Sequence, residues 1–214
     1  MKMSKIVGAV AAAAVLFALT TSARADNSQV STNSNVACPV GLVSGMTLED
    51  EFGADAAANT RCIKKRHDVK LVFQINNFCE SEDTPNASCT AAYALNQMNN
   101  VLNDYDITDG MVAGRDYTVV AVVHGGGGKL LIKNGYVGPN GVANVNQFEN
   151  QVKYLQGRGV TFYFCENTVR GLMKAGILQK GNVADGIIDG VKYVTAGVAA
   201  LSDFQALGYS YVQP

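Results

Sequence analysis

Hydrophobic residues alternate with polar ones, or follow one another without interruption, in several short segments that are typical of buried β-strands. β-branched and aromatic side chains dominate these segments, which suits a pleated and largely buried surface. The pattern predicts about five strands, at VKLVFQI (69–75), YTVVAVV (117–123), VTFYF (160–164), VKYV (191–194) and YSYV (209–212).

Between the strands, hydrophobic residues recur with the spacing of amphipathic helices. A helix is predicted after Thr90, which is a suitable N-cap, with Leu95, Met98 and Leu102 on its buried stripe. Further helices are predicted from three other sets of residues, namely Val145, Phe148, Val152 and Leu155; Val169, Leu172 and Met173; and Val198, Leu201 and Phe204. The segment LLI at 130–132 fits either a helical turn or a hairpin.

This alternation of strands and helices predicts the fold class. Connections between neighbouring parallel strands are right-handed crossovers that lay helices against the sheet. We therefore predict an α/β fold with a mainly parallel sheet between helical layers.

The first residues are typical of a secretion signal. Lys2 and Lys5 precede an apolar run over residues 6–19, and Ala23-Arg24-Ala25 follows it. The run is shorter than the roughly 20 residues that a membrane span needs. We expect cleavage before Asp26 and export to the periplasm; the alternative is a retained signal anchor. We assign 26–66 to a leader and extension, and 67–214 to the folded domain.

Charge excludes one class of partner. Loss of Lys2, Lys5 and Arg24 from 17 basic residues leaves 14 against 18 acidic ones, a net charge near −4. Nucleic acids require a basic face, so we expect no nucleic-acid partner. After cleavage of the signal we also expect no membrane association.

Five cysteines remain in the exported chain, an odd number for an oxidising compartment, so at least one is unpaired or pairs between chains. Sequence alone cannot assign the pairs. We favour Cys79 with Cys89, which bracket a short polar loop, and Cys38 with Cys62, which bracket the segment before the first strand. On that pairing Cys165 carries the free thiol.

Polar side chains follow the predicted strands, at the edge where α/β proteins place their sites. They are Asn76 after the first strand, His124 after the second, Cys165 after the third and Thr195 after the fourth, and Gly125 directly follows His124. These residues are our candidates for binding a substrate or reacting with it.

Cys165 stands where a strand passes into a helix, with Asn167 or Thr168 available as a cap. Helix N-termini favour a thiolate, and Arg170 and His124 could add to this effect. The alternative is an inert, buried cysteine that packs as a small hydrophobic residue.

His124 and the glycines after it have several interpretations. The imidazole could act as a general base, as a hydrogen-bond donor, or as a partner that keeps Cys165 ionised, or it could be a satisfied histidine at a strand end. The run GGGGK at 125–129 lacks the spacing of a phosphate-binding loop and indicates a flexible turn. No zinc-type ligand spacing occurs, so we expect no metal.

Taken together, KLVFQIN, VVAVVHGGG, GVTFYFCENT and VKYVTAGVAALSDFQALGYSYVQP resemble the DsrE/DsrF-like family of sulfur-relay proteins, over residues 68–214. Its exported members are the most similar branch. The resemblance implies a three-layer α/β/α domain that forms trimers or hexamers. It also implies that Cys165 is the sulfur carrier and that His124 matches the family's strand-end histidine.

The resemblance predicts a carrier that holds sulfur as a persulfide on Cys165 and needs no cofactor. Its partners would be sulfur-donor and sulfur-acceptor proteins or small thiols. The alternative is a non-enzymatic ligand-binding or assembly module in which Cys165 is structural. A thiol-disulfide enzyme is less favoured because no C-x-x-C motif is present.

Overall fold

The central sheet of the protein confirms the predicted α/β class. The computed structural model describes residues 42–60, 66–79 and 89–214. Five strands in these ranges form one sheet in the order β4-β3-β2-β1-β5, and each neighbouring pair is parallel. The strands are β1 (Val69–Ile75), β2 (Tyr117–Val123), β3 (Thr161–Cys165), β4 (Lys192–Val194) and β5 (Ser210–Val212).

The four predicted helices connect the strands, and the described ranges contain three further short helices that the sequence did not predict. The helices in the described part are α1 (Leu48–Phe52), α2 (Ala56–Asn59), α3 (Tyr93–Asn103), α4 (Glu149–Gly157), α5 (Glu166–Lys174), α6 (Val183–Gly186) and α7 (Gly197–Ala206). A π-helical turn (Asp104–Thr108) extends α3, and a 3₁₀ helix (Gly125–Leu131) follows β2.

The strand order explains which face of the sheet each helix covers. From β1 to β4 the chain adds strands in one direction, so right-handed crossovers place α3, α4 and α5 on the same face. The return from β4 to β5 runs the opposite way and places α7 on the other face, against β1 and β2. The sheet thus lies between two helical layers.

The larger core lies on the α3, α4 and α5 face. Phe73, Phe162 and Phe164 are fully buried there, against Leu95 of α3 and Leu155 of α4. Burial of each such side chain contributes about 1.5–3 kcal/mol of transfer free energy. This packing fixes the strand ends that carry the candidate site.

The predicted start of α3 was wrong. The helix begins at Tyr93 with Ala92 as its N-cap, and Thr90 lies before it. A disulfide joins Cys79 to Cys89, as the short loop between them predicted, and the chain from Cys89 to Ala92 is not helical. The helix therefore starts only after this constrained segment.

The predicted stripe of α4 included one residue too many. Val145 is 74% exposed and lies before the helix. The side chain that turns inward is its neighbour Asn146, whose Nδ2 donates to the carbonyls of Leu130 and Ile132, each at 2.8 Å. Its Oδ1 accepts from the amide of Phe148 at 3.1 Å. A fully hydrogen-bonded asparagine thus occupies a buried position that a hydrophobic pattern cannot reveal.

The predicted stripe of α7 was wrong at one position. Val198 is 70% exposed, whereas Ala200 and Leu201 are buried against the sheet. The signal segment, the leader and the favoured Cys38–Cys62 pair involve residues outside the described ranges. In those ranges no helix combines the length and hydrophobicity that a membrane crossing requires.

Candidate functional site

Cys165 and His124 occupy neighbouring positions at the carboxyl edge of the sheet. Val123 of β2 pairs with Phe164 of β3, so the residues that follow them, His124 and Cys165, lie next to each other. Side chains alternate between the faces of a strand, and both of these residues therefore lie on the face that α7 covers. The structure thus brings together the two residues that the sequence singled out for chemistry.

Two helices begin at the Cys165 sulfur. Cys165 is the N-cap of α5, and the backbone N–H of Gly197, the first residue of α7, donates to its Sγ at 3.2 Å. The partial positive charge of a helix N-terminus favours an anion nearby. Cys165 is 5% exposed, and its thiol is not part of a disulfide.

The surroundings of Cys165 lower its pKa from the ordinary value of a thiol. Burial alone would raise the pKa, but the backbone N–H groups of Thr168, Gly197 and Asn167 and the hydroxyl of Thr168 outweigh burial and stabilise the thiolate. The Thr168 hydroxyl oxygen accepts from the N–H of Gly125 at 2.9 Å, which leaves its own proton for the sulfur. The site is thus built to hold a negative sulfur.

His124 is held from the side opposite Cys165. Its Nε2 lies 2.7 Å from Nε2 of Gln74, which projects from β1. Burial lowers the pKa of His124, so the ring is neutral near neutral pH. The Cβ and ring of His124 also pack against Gly197, where an added Cβ would lie 3.0 Å from His124 Cβ. Gly197 therefore contacts both residues of the candidate site.

Arg170 does not join the sulfur site. Its guanidinium donates to Glu166 and to Asn167 Oδ1, each at 2.7 Å, on the exposed surface of α5. The side chain of Asn167 is therefore engaged with Arg170, and its backbone N–H is the group that acts on Cys165. Thr195 is exposed just after β4.

The glycine run is a tightly packed 3₁₀ helix, and the predicted flexible turn was wrong. An added Cβ on Gly127 would lie 2.7 Å from the carbonyl oxygen of Ile75, and one on Gly128 would lie 2.7 Å from Thr168 Cγ2. Gly125 adopts φ +55°, a conformation that glycine reaches without strain. These glycines therefore serve close packing beside the site.

Asn76 lies at a cleft beyond the end of β1. Its carbonyl accepts from the N–H of Gly127 at 2.8 Å. The cleft is open to solvent, and Gln74, Phe78, Tyr93 and Pro214 also line it. Gln74 therefore links this cleft to His124.

Two residues of the site were missed by the sequence analysis. Gly197 opens α7 directly after a strand, and a glycine there allows close approach of the backbone. Gln74 is a polar residue between the apolar Phe73 and Ile75 of β1, which was the signal for a functional or hydrogen-bonded position. In the described ranges no group of three or more His, Cys, Asp or Glu side chains could hold a metal ion.

The fold and the site define an α/β protein with a hydrogen-bonded thiol at the carboxyl edge of a parallel sheet. The model of the DsrE/DsrF-like family matches residues 70–214, and the chain belongs to that family. A solved structure of a protein of unknown function from Methanobacterium thermoautotrophicum is similar, with 22% identity and a TM-score of 0.48. It covers 69% of this chain and 100% of its own. No curated protein matches the chain significantly.

Proposed function

We propose that the protein handles sulfur in the periplasm, with Cys165 as the residue that carries it as a persulfide. The observation that supports this most strongly is the set of N–H and O–H donors around Sγ, which lowers the pKa of a buried thiol. Family membership and the signal-like segment at residues 1–25 agree with this role.

The proposed transfer takes two steps and needs no cofactor. The Cys165 thiolate attacks the outer sulfur of a donor persulfide, a new S–S bond forms, and the donor leaves as a thiolate. An acceptor thiolate then attacks the outer sulfur on Cys165, and the Cys165 thiolate leaves. A lowered pKa assists the second step because Cys165 is then the better leaving group.

The experiment is persulfide loading of the purified protein without oxygen, followed by mass analysis of its peptides. We expect a gain of one sulfur atom on the peptide that contains Cys165, and its loss when a small thiol is added. Cys165→Ser is the control and should show no gain on that peptide. A protein that takes no sulfur under conditions that load an established carrier would contradict the proposal.

The second candidate function is a ligand-binding or assembly module in which Cys165 only packs. The 5% exposure of Cys165 favours it. Timed alkylation separates the two functions: a poised thiolate should react with iodoacetamide near neutral pH faster than a small-molecule thiol does. A slower reaction, together with failure to take up sulfur, would favour the binding module.

We also propose a homo-oligomer, a trimer or a hexamer, as the family resemblance implies. Light scattering on the purified protein tests it, and a monomer at all concentrations would contradict it.

A further inference from the structure

A chain of three side chains extends from the C-terminal strand to His124. The hydroxyl of Tyr211, on β5, donates to Oε1 of Gln74, on β1. The Nε2 of Gln74 in turn lies 2.7 Å from Nε2 of His124. Tyr211 and Gln74 lie on adjacent strands, because Val72 of β1 pairs with Tyr211. We call Tyr211, Gln74 and His124 the histidine chain.

The donors and acceptors in the histidine chain fix the form of the imidazole. The hydroxyl of Tyr211 has one proton, for which the amide oxygens of Gln74 and Gln213 compete, and in the histidine chain it donates to Oε1 of Gln74. The Gln74 amide therefore presents its NH₂ group to His124. An NH₂ group only donates, so Nε2 of His124 accepts and carries no proton. The neutral ring then carries its proton on Nδ1.

The Nδ1 atom of His124 is not fully buried. Within the part of the chain that the structure describes, each buried side-chain nitrogen or oxygen has a hydrogen-bond partner. The hydrogen bond that His124 makes there uses Nε2, so Nδ1 lies outside the buried set. The neutral ring thus offers an Nδ1–H donor at the carboxyl edge of the sheet, on the strand next to that of Cys165.

We propose that Gln74 and Tyr211 are positioning residues that hold His124 as an Nδ1–H donor to the anionic sulfur compound that reacts at Cys165. The inference rests on the proposed sulfur chemistry. It assigns to His124 a role as donor and removes the role of general base, because Gln74 occupies the nitrogen lone pair that a base would need. Tyr211 and Gln74 act only through the histidine.

The first arm of the experiment reads the tautomer of His124 by NMR at mildly alkaline pH. The chain has 2 histidines, so comparison with a His67→Gln variant assigns the signals. We expect the Nδ1–H form in the wild-type protein. Gln74→Glu replaces the donor with an acceptor of the same shape, and it should convert His124 to the Nε2–H form or the imidazolium. Tyr211→Phe frees the Gln74 amide to turn, and should give a mixture of both neutral forms.

Tyr154→Phe is the matched control for Tyr211→Phe. Tyr154 is 56% exposed on α4 and should leave the tautomer unchanged. The second arm measures the rate of sulfur uptake at Cys165. Where Gln74→Glu converts His124 to the Nε2–H form, the reacting anion loses one hydrogen bond, and uptake should slow by about tenfold or more, with a smaller effect in Tyr211→Phe.

The two arms separate failure of this inference from failure of the proposed function. A wild-type His124 in the Nε2–H form, or a tautomer that neither variant changes, overturns the histidine chain whatever the sulfur result. A tautomer that switches as expected in a protein that takes no sulfur supports the positioning and overturns the role toward sulfur. Uptake that is equally fast in all variants also overturns that role.

Discussion

One of the groups that lower the pKa of Cys165 is the Thr168 hydroxyl, which can be removed with little change of shape. Thr168→Val keeps the methyl group near Gly128 and deletes the oxygen that acts on the sulfur. The N–H of Gly125, which donates to that oxygen, belongs to an exposed residue and can bond to water instead. The substitution should therefore raise the pKa of Cys165 without unfolding the protein.

The size of the effect follows from the remaining donors. A hydrogen bond to a charged group stabilises it by about 1.5–3 kcal/mol, and sulfur, a weak acceptor, belongs at the lower end. A loss of about 1.4 kcal/mol lowers the ratio of thiolate to thiol roughly tenfold. The backbone donors of Thr168, Gly197 and Asn167 remain, so the thiolate should become rarer without disappearing.

The assay is the rate of alkylation by iodoacetamide as a function of pH. Thr168→Val should react about tenfold more slowly than the wild type near neutral pH and at a similar rate at high pH, where both thiols are ionised. Thr195→Val, at an exposed strand-end threonine, is the control and should react like the wild type. A wild-type rate for Thr168→Val, or equal slowing in both variants, would refute the reasoning.

Three other predictions concern packing, pH and the disulfide. Gly197→Ala places a Cβ 3.0 Å from His124 Cβ and should lower the free energy of unfolding, measured in urea, by about 1–3 kcal/mol. Its control is Gly171→Ala, which has open space around the added Cβ and should raise that free energy by about 0.5–1 kcal/mol. Burial lowers the pKa of His124 from 6.5, so as the pH falls the unfolded chain takes up the histidine proton at a higher pH than the folded protein does. The free energy of unfolding should therefore fall as the pH drops below 6.5, and His124→Gln should make this dependence weaker in urea titrations. Cys79→Ala with Cys89→Ala opens a loop of sequence separation 10 and should lower the free energy of unfolding by about 2–3 kcal/mol, which an unchanged melting temperature would contradict.

The strands of the fold could be predicted because most of their residues are β-branched or aromatic. The segment from Tyr117 to Val123 is apolar apart from Thr118 and is largely buried on both faces of the sheet, so burial and sequence pattern coincide. The helix boundaries were harder to predict from the sequence. The start of α3 depends on a disulfide, and the residue that anchors the segment before α4 is the polar Asn146.

The candidate site could be predicted only in part, since its pieces come from distant segments. Cys165 and His124 each follow a strand, and a strand-end rule finds both. Which residues meet them depends on the order β4-β3-β2-β1-β5, which no local pattern encodes. Gln74 and Gly197 reach the site through that order. The glycines after His124 gave a misleading signal, because close packing and loop flexibility both select glycine.

The position of α7 affects both the accessibility and the ionisation of Cys165, two properties that a reactive thiol normally gains together. Within the described ranges α7 is the helix that packs on its face of the sheet, and its first N–H group bonds to the sulfur. A local opening of α7 that admits a larger reagent would also withdraw this donor, and the thiol would then be easier to reach but less ionised. The site would therefore select small reactants, because a small reactant can enter while α7 stays packed on the sheet and Cys165 is more ionised.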